Sequence, residues 1–267
     1  MASRNQIRKQ YKRWHAQYSR AAYKELQKTF KKWGNAIPYT MLTEQNYEAL
    51  IRLVITDAPM EKTYFEIYSK IGLVHGARVG RAVNRELKFF DPNTFDSVFL
   101  ANIREFLSAF VGDRIVSVEN TYFEAITTIL RTRLDEGKTI QQASKELQEV
   151  VGKNNFYRWQ AERIARTETT AAANYSAVQA GDSTTFVMEK VWISGLDERT
   201  RTTPPDKYDH RHMNGKTVKP NDNFVTSRGE LLEYPGDPKG SAGNVVNCRC
   251  TVAFRAVRDS EGNLIDK

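Results

Sequence analysis

Residues 157–194 read YRWQAERIARTETTAAANYSAVQAGDSTTFVMEKVWIS, and the fold turns on a change of period inside this stretch. Up to Gly181 the pattern is helical and predicts a helix over 157–181. From Thr185 alternation replaces the 3.6-residue period, so that 186–194 (FVMEKVWIS) reads as a strand. Downstream, 230–234 (ELLEY) and 246–255 (VNCRCTVAFR) also read as strands, separated by loops rich in Pro, Gly, Asn and Asp, and 259–267 reads as a polar tail. Upstream the chain is helical throughout. Ile7, Tyr11, Trp14, Tyr18, Ala22, Leu26, Phe30 and Trp33 recur at steps of three and four and predict an amphipathic helix over 1–34, ending at Gly34. Further helices are predicted over 43–57 with Thr43 as N-cap and a stop before Pro59, then over 61–87, 94–110, 113–136, 140–151 with Thr139 as N-cap, and 157–181. Gly72, Gly76 and Gly80 recur every four residues and predict a thin helix face against a neighbour. The expected class is therefore α+β. A mostly helical region, 1–181, precedes a small loop-rich α+β domain, 182–258, whose short antiparallel strands pack with helix 157–181.

The 267 residues carry a net charge of +8, and its position is informative. Arg4, Arg8, Lys9, Lys12, Arg13, Arg20, Lys24, Lys28, Lys31 and Lys32 face a single acid, Glu25, within residues 1–33, leaving 30 basic and 31 acidic residues for the rest of the chain. The excess belongs to the first helix and points to a local contact with an acidic partner. Phosphates on double-stranded DNA would suit the basic face, and Tyr11, Trp14 and Tyr18 would stack on bases if exposed; alternatively the aromatics dock on the bundle and only the charges meet DNA or an acidic protein surface. No run approaches the ~18 apolar residues of a membrane span, and the basic N-terminus lacks an apolar stretch behind it, so neither secretion nor membrane insertion is expected. Cys248 and Cys250 lie too close in sequence for an unstrained disulfide, which fits a reducing compartment. A glycine-rich phosphate loop is absent, which leaves nucleotide hydrolysis without support.

Three constellations could carry chemistry. His210 and His212 share the two-residue spacing of Cys248 and Cys250, so a Cys2His2 zinc site is one reading, though its spacing is shorter than zinc sites favour. The other reading is packing, with Cys248, Cys250, Val252 and Phe254 forming one apolar strand face. Asp197, Arg199, Arg201, His210 and Arg249 form a dense polar set, read as a salt-bridge network holding a loop; a metal-dependent hydrolase or nuclease using the His210/His212 loop with Glu198, Asp206 and Asp209 is the catalytic alternative. Arg166 either pairs with Glu162 one turn away or reaches across to the C-terminal domain.

One ordered series of blocks adds to this. Ala165-Arg166-Thr167-Glu168-Thr169 with Asn174 and Ala177, then Trp192-Ile193-Ser194, Asp197-Glu198-Arg199-Thr200-Arg201, His210-Arg211-His212-Met213-Asn214-Gly215, Tyr234-Pro235-Gly236-Asp237-Pro238 and Asn247-Cys248-Arg249-Cys250-Thr251 follow one another over residues 160–255. The series resembles the phage Mu F-like minor head family. The resemblance implies a structural, non-enzymatic protein of tailed phages that lies inside the head near the portal vertex and is present in host cytoplasm during assembly. It implies no membrane contact before infection, and a part in head assembly and in genome packaging or delivery. Implied partners are the portal protein, major capsid or scaffold proteins and double-stranded DNA; no cofactor is expected, apart from the zinc that one reading of His210, His212, Cys248 and Cys250 allows. The signature positions Arg166, Glu168, Trp192, Asp197, Arg199, His210, Gly215, Pro235, Gly236, Cys248, Arg249 and Cys250 are expected to be structural. Some relatives carry a Cys-x-x-Cys pair after the Asp-Arg-Thr block, where this chain has Thr202-Thr203-Pro204-Pro205. A zinc-stabilised nucleic-acid-binding module is the third reading.

Overall fold

Capping fixes where the helices begin. In the computed structural model, which describes residues 2–87, 91–153 and 155–267, Ser3 opens α1 (Arg4–Ala36). Its hydroxyl accepts the Gln6 N–H while the Gln6 side chain accepts the Ser3 N–H, so two donors with no intrahelical partner are satisfied together. Thr139, the N-cap expected from the sequence, repeats the device with Gln142 at the start of α6 (Ile140–Gly152). Between them lie α2 (Tyr47–Val54), α3 (Asp57–Leu87), α4 (Pro92–Phe110) and α5 (Gly112–Asp135), and α7 (Arg158–Asp182) follows.

Two boundaries depart from expectation. Thr43 does not cap α2; it sits in a turn where the Asn46 side chain takes its N–H, and the helix starts only at Tyr47. α3 starts at Asp57 rather than residue 61, with Pro59 inside its first turn, where a missing N–H forfeits no helical hydrogen bond.

The apolar stripe of α1 is buried as read. Tyr11, Tyr18, Leu26, Phe30 and Trp33 are core residues, and α1 packs on α7, α3 and α6. The glycine ladder of α3 provides two notches: a Cβ at Gly72 or Gly76 would fall 2.1 Å from the ring tip of Phe99 or Phe95 on α4. α7 lies against α3, α1 and α4, with Tyr175 stacked 3.8 Å from Phe106.

Past α7 the chain forms β1 (Met188–Ile193), the central strand of an antiparallel sheet flanked by β2 (Thr217–Val218) and β5 (Thr251–Ala256), with Trp192 opposite Val252. β3 (Phe224–Val225) and β4 (Leu231–Leu232) form a separate hairpin, and a single turn, α8 (Ala242–Val245), precedes β5. The strand expected over 246–255 is therefore shorter. Asn247 adopts a left-handed φ of 58° on leaving α8, and Cys248 and Cys250 lie in irregular chain before the ladder begins at Thr251. The tail 259–267 is polar as expected yet folds back: Lys267 donates its N–H to the Thr185 carbonyl, and Val187 donates to Ile265. Gly181 marks a change of secondary structure but no break in packing, because one apolar core runs from Tyr11 to Ala256. At the junction, a Cβ on Gly181 would meet the Phe254 ring at 2.4 Å.

Candidate functional site

Polar groups on α7 tie down the short strands and long loops of the C-terminal domain. Asn174 is fully buried and uses its whole hydrogen-bonding capacity. Its Nδ2 donates to the Pro235 and Cys250 carbonyls at 2.8 and 3.1 Å, and its Oδ1 accepts from Thr251 Oγ1 and the Val252 N–H at 2.9 and 3.0 Å. One turn earlier, Thr170 donates to the Cys248 carbonyl. Gly236 has φ 84°, and a Cβ there would lie 2.8 Å from Thr170 Cγ2, so both backbone angle and space demand glycine. Two residues further back, the buried Glu168 carboxylate accepts from Tyr68 Oη at 2.7 Å and pairs with Arg114 at 3.3 Å, tying α7 to α3 and α5. These signature positions thus have structural work, and Tyr68, Arg114 and Asn174 belong with them although only the last lies in a quoted block.

The structure brings together His210, Cys248 and Cys250, each 2 % exposed, with their ligand atoms within 4.8 Å of one another. His210 Nδ1 stands 3.6 Å from Cys248 Sγ and 3.7 Å from Cys250 Sγ. Its Nε2 faces Asn244 Oδ1 at 3.1 Å, and the Trp192 indole packs edge-on against the imidazole, ring centres 5.8 Å apart. The hydrogen bond between the two thiols pulls Cys250 well below its ordinary pKa and pushes Cys248 well above it. His212, expected as a fourth ligand, does not join them. It is exposed, and its backbone N–H donates to Asp209 Oδ1 at 2.7 Å, because His210 and His212 lie in a turn and not on a strand where alternate side chains would share a face. Asn244, on α8, was not foreseen; nothing in the spacing relates it to His210.

The Asp197 network is present and half-buried. Arg249 reaches Asp197 Oδ1 at 3.2 Å, while Arg199 and Lys12 approach Oδ2 at 3.9 and 3.7 Å. Arg201 leaves Asp197 and pairs with Asp206 at 3.6 Å. Asp209 and Asp206 accept backbone N–H groups of Thr203 and Tyr208, which closes the loop on itself. Both readings of Arg166 hold at once: it lies 3.7 Å from Glu162, and its Nε donates to Asn247 Oδ1 at 3.0 Å across the helix–domain boundary. A cleft of about 210 Å³ opens between α1 and these loops, lined by Arg8, Lys12, Arg166, Arg199, Arg249 and Asp197. His15, at its back, hydrogen-bonds Thr170, and burial drives its pKa down to about 4, with the Arg249 charge adding to the shift. It sits four residues after Tyr11, on the apolar phase of α1, and that phase was legible.

The ten basic residues of α1 divide by phase. Arg8 donates to the Ser194 carbonyl at 2.8 Å, the Arg4 guanidinium covers Gly215 (φ 86°), and Lys12 approaches Asp197, so these three dock α1 onto the C-terminal domain. Lys28 pairs with Glu25, and Lys32 is exposed beside it. Lys9, Arg13, Arg20, Lys24 and Lys31 are all exposed and fall within roughly 60° of one another about the helix axis at ~100° per residue. None of the five has an acidic partner among the described residues. The aromatics beside them are not available to bases: Tyr11 and Tyr18 are buried, and with Trp14 they surround the His75 ring.

Among the described residues no helix is long and apolar enough to cross a membrane. Neither a curated protein nor a solved structure matches the chain. One family model does, over residues 124–253, which takes in α7, the Asn174 hub, the His210–Cys248–Cys250 cluster and the Asp197 network. That family is described as Phage Mu protein F like protein, and across this span, just under half of its length, the chain is similar to it.

Proposed function

We propose that the chain is a minor head protein of a tailed phage. In this reading it acts in head morphogenesis without catalysing a reaction, and it uses the exposed stripe of α1 to contact packaged double-stranded DNA while it associates with the portal and the inner capsid. The family match supports the head assignment. The observation that carries the DNA contact is the uncompensated stripe Lys9, Arg13, Arg20, Lys24 and Lys31. It runs about 33 Å along a helix whose other face is locked into the core, so the charges are presented on a rigid rod rather than a floppy tail. Lys9, Arg20 and Lys31 recur every eleven residues, a spacing of about 16 Å that keeps them in phase. Cations in such a row neutralise phosphates without reading bases, as packaging of an arbitrary genome requires. Asp197, Asp206 and Asp209, which a nuclease would aim at a metal, are instead engaged by arginines and turn N–H groups, which supports a structural role for the 197–215 loop.

Binding of the full chain to a duplex of random sequence tests the DNA contact. Five phosphate contacts give a slope of log K against log salt near about −4.5. Replacing Lys9, Arg13 and Lys24 by Gln lowers that slope by about 2.7 without altering sequence preference. A salt-independent affinity, or a triple variant that binds like the parent, defeats the DNA contact. Co-expression with the portal protein of the same phage checks the head assignment separately, since failure to co-purify with portal or capsid removes its partner.

A further inference from the structure

We infer that His210, Cys248 and Cys250 hold a zinc ion that pins the 197–215 loop to the entrance of β5. The reasoning begins with distances. With zinc–sulfur and zinc–nitrogen bonds of ~2.3 and ~2.05 Å, two tetrahedral corners lie about 3.6 Å apart for a thiolate and an imidazole. His210 Nδ1 stands 3.6 and 3.7 Å from the two sulfurs. A purely hydrogen-bonded packing needs only one sulfur at the single Nδ1 lone pair; here both sulfurs share it at equal distance, as three corners of one tetrahedral face do.

The surroundings favour the same ligand. Nε2 faces the Asn244 carbonyl oxygen, so Nε2 carries the hydrogen and Nδ1 presents its lone pair to the sulfurs. Asn244 is fully buried, and the Trp192 edge closes the ring's other side, so the imidazole has one orientation. Just before β5 both sulfurs of Cys248-Arg249-Cys250 turn inward to His210, while Arg249 between them reaches out to Asp197. Soft thiolates with one imidazole select zinc over the oxygen-seeking magnesium and calcium. Three buried ligands at 2 % exposure leave no approach for a substrate, which makes the ion a structural tie in a domain whose strands are two to six residues long. His212 is not a ligand, and among the described residues no fourth His, Cys, Asp or Glu joins the group. This site is independent of the DNA contact on α1.

Cobalt titration of the full chain after removal of metal by chelation is the direct test, and it needs no variant. One equivalent of Co²⁺ is expected to give tetrahedral d–d bands together with a thiolate-to-cobalt charge-transfer band, and one equivalent of Zn²⁺ to abolish both. Zinc-supplemented protein is expected to contain one Zn²⁺ per chain and to hide both thiols from a thiol reagent until chelator is added. Cys248→Ser and Cys250→Ser each weaken the charge-transfer band, whereas His212→Gln leaves it intact. A wild-type chain that contains no stoichiometric metal and gives no charge-transfer band with cobalt overturns the inference, as does loss of the site in His212→Gln.

Discussion

The helical part and the C-terminal domain are held by different physics, and α7 is where the two meet. Among α1, α3, α4 and α5 the contacts are ring on ring and ring in notch: Phe30 stacks on Tyr122 with centres 4.8 Å apart, and Phe99 and Phe95 fill Gly72 and Gly76. Beyond Gly181 ring contacts continue, with Trp192 edge-to-face on Phe224 at 5.3 Å, but the loops and short strands are tied to α7 by named hydrogen bonds to Asn174, Thr170 and Arg166. A core built from area loses stability in proportion to the volume removed. One built from a few buried polar bonds fails when a single partner is deleted, because the groups left behind stay desolvated.

Asn174→Leu exposes that difference most strongly. It strands the Pro235 and Cys250 carbonyls, the Val252 N–H and the Thr251 hydroxyl in a dry site, and at ~1–3 kcal/mol for each unsatisfied group the loss is about 4 kcal/mol or more. Chemical denaturation followed by tryptophan fluorescence measures it. A loss below about 1 kcal/mol would show that the C-terminal domain, too, is held mainly by packed area.

Gly72→Ala and Gly76→Ala test the other side. Each Cβ would fall 2.1 Å from a phenylalanine ring tip, so α4 must move away from α3 at a cost of about 1–3 kcal/mol, as for other overpacked cores. Pairing Gly72→Ala with Phe99→Leu should recover most of the loss in a double-mutant cycle. Additive effects would mean that the ring and the notch are not coupled.

Those notches were visible before the fold was, since glycines recurring every four residues on a helix read as a thin face against a neighbour. The helical half was legible because one stripe per helix faces one core, and the 3.6-residue period records that directly. In the C-terminal domain the period fails: β2, β3 and β4 have two residues each, too few to show alternation, and Asn247 breaks the chain out of α8 by a left-handed turn that no pattern of hydrophobicity encodes. Ordered motif blocks carried the family resemblance there instead. The candidate site was half legible for the same reason. Both thiols meet His210, so the shared side of Cys248 and Cys250 was read correctly, whereas the turn that follows Asp209 sends His212 outward although its spacing from His210 is identical.

Acid should separate the regions by a smaller margin. Burial holds His75 at a pKa of about 3 and His15 at about 4, both below the ordinary value near 6.5. The folded state therefore binds fewer protons than the unfolded one between pH 6.5 and these values, and stability falls as pH is lowered through that window. His75 sits among Tyr11, Trp14 and Tyr18, and neither ring nitrogen has a hydrogen-bond partner. Arg78 and His15 are the charged or titratable groups that depress it further. His75→Leu should therefore flatten the acid limb of the melting temperature and leave stability at pH 8 almost unchanged. An unaltered acid limb would place the proton uptake elsewhere.

The smallest effect on stability is expected from the stripe that matters most for the proposed DNA contact. Lys9, Arg13, Arg20, Lys24 and Lys31 touch neither core nor counter-charge, so Gln at any of them should change unfolding free energy by less than about 0.5 kcal/mol. Relief of repulsion between Arg20 and Lys24, and between Lys9 and Arg13, each four residues apart on one face, should make the sign slightly favourable at low salt and nil at high salt. Arg8→Gln is the contrast on the same helix. Its guanidinium donates to the Ser194 carbonyl, which is left partly buried without that donor, and the loss should reach about 1 kcal/mol irrespective of salt. Equal effects for the two classes, measured in one salt series, would mean that phase on α1 does not separate docking from display.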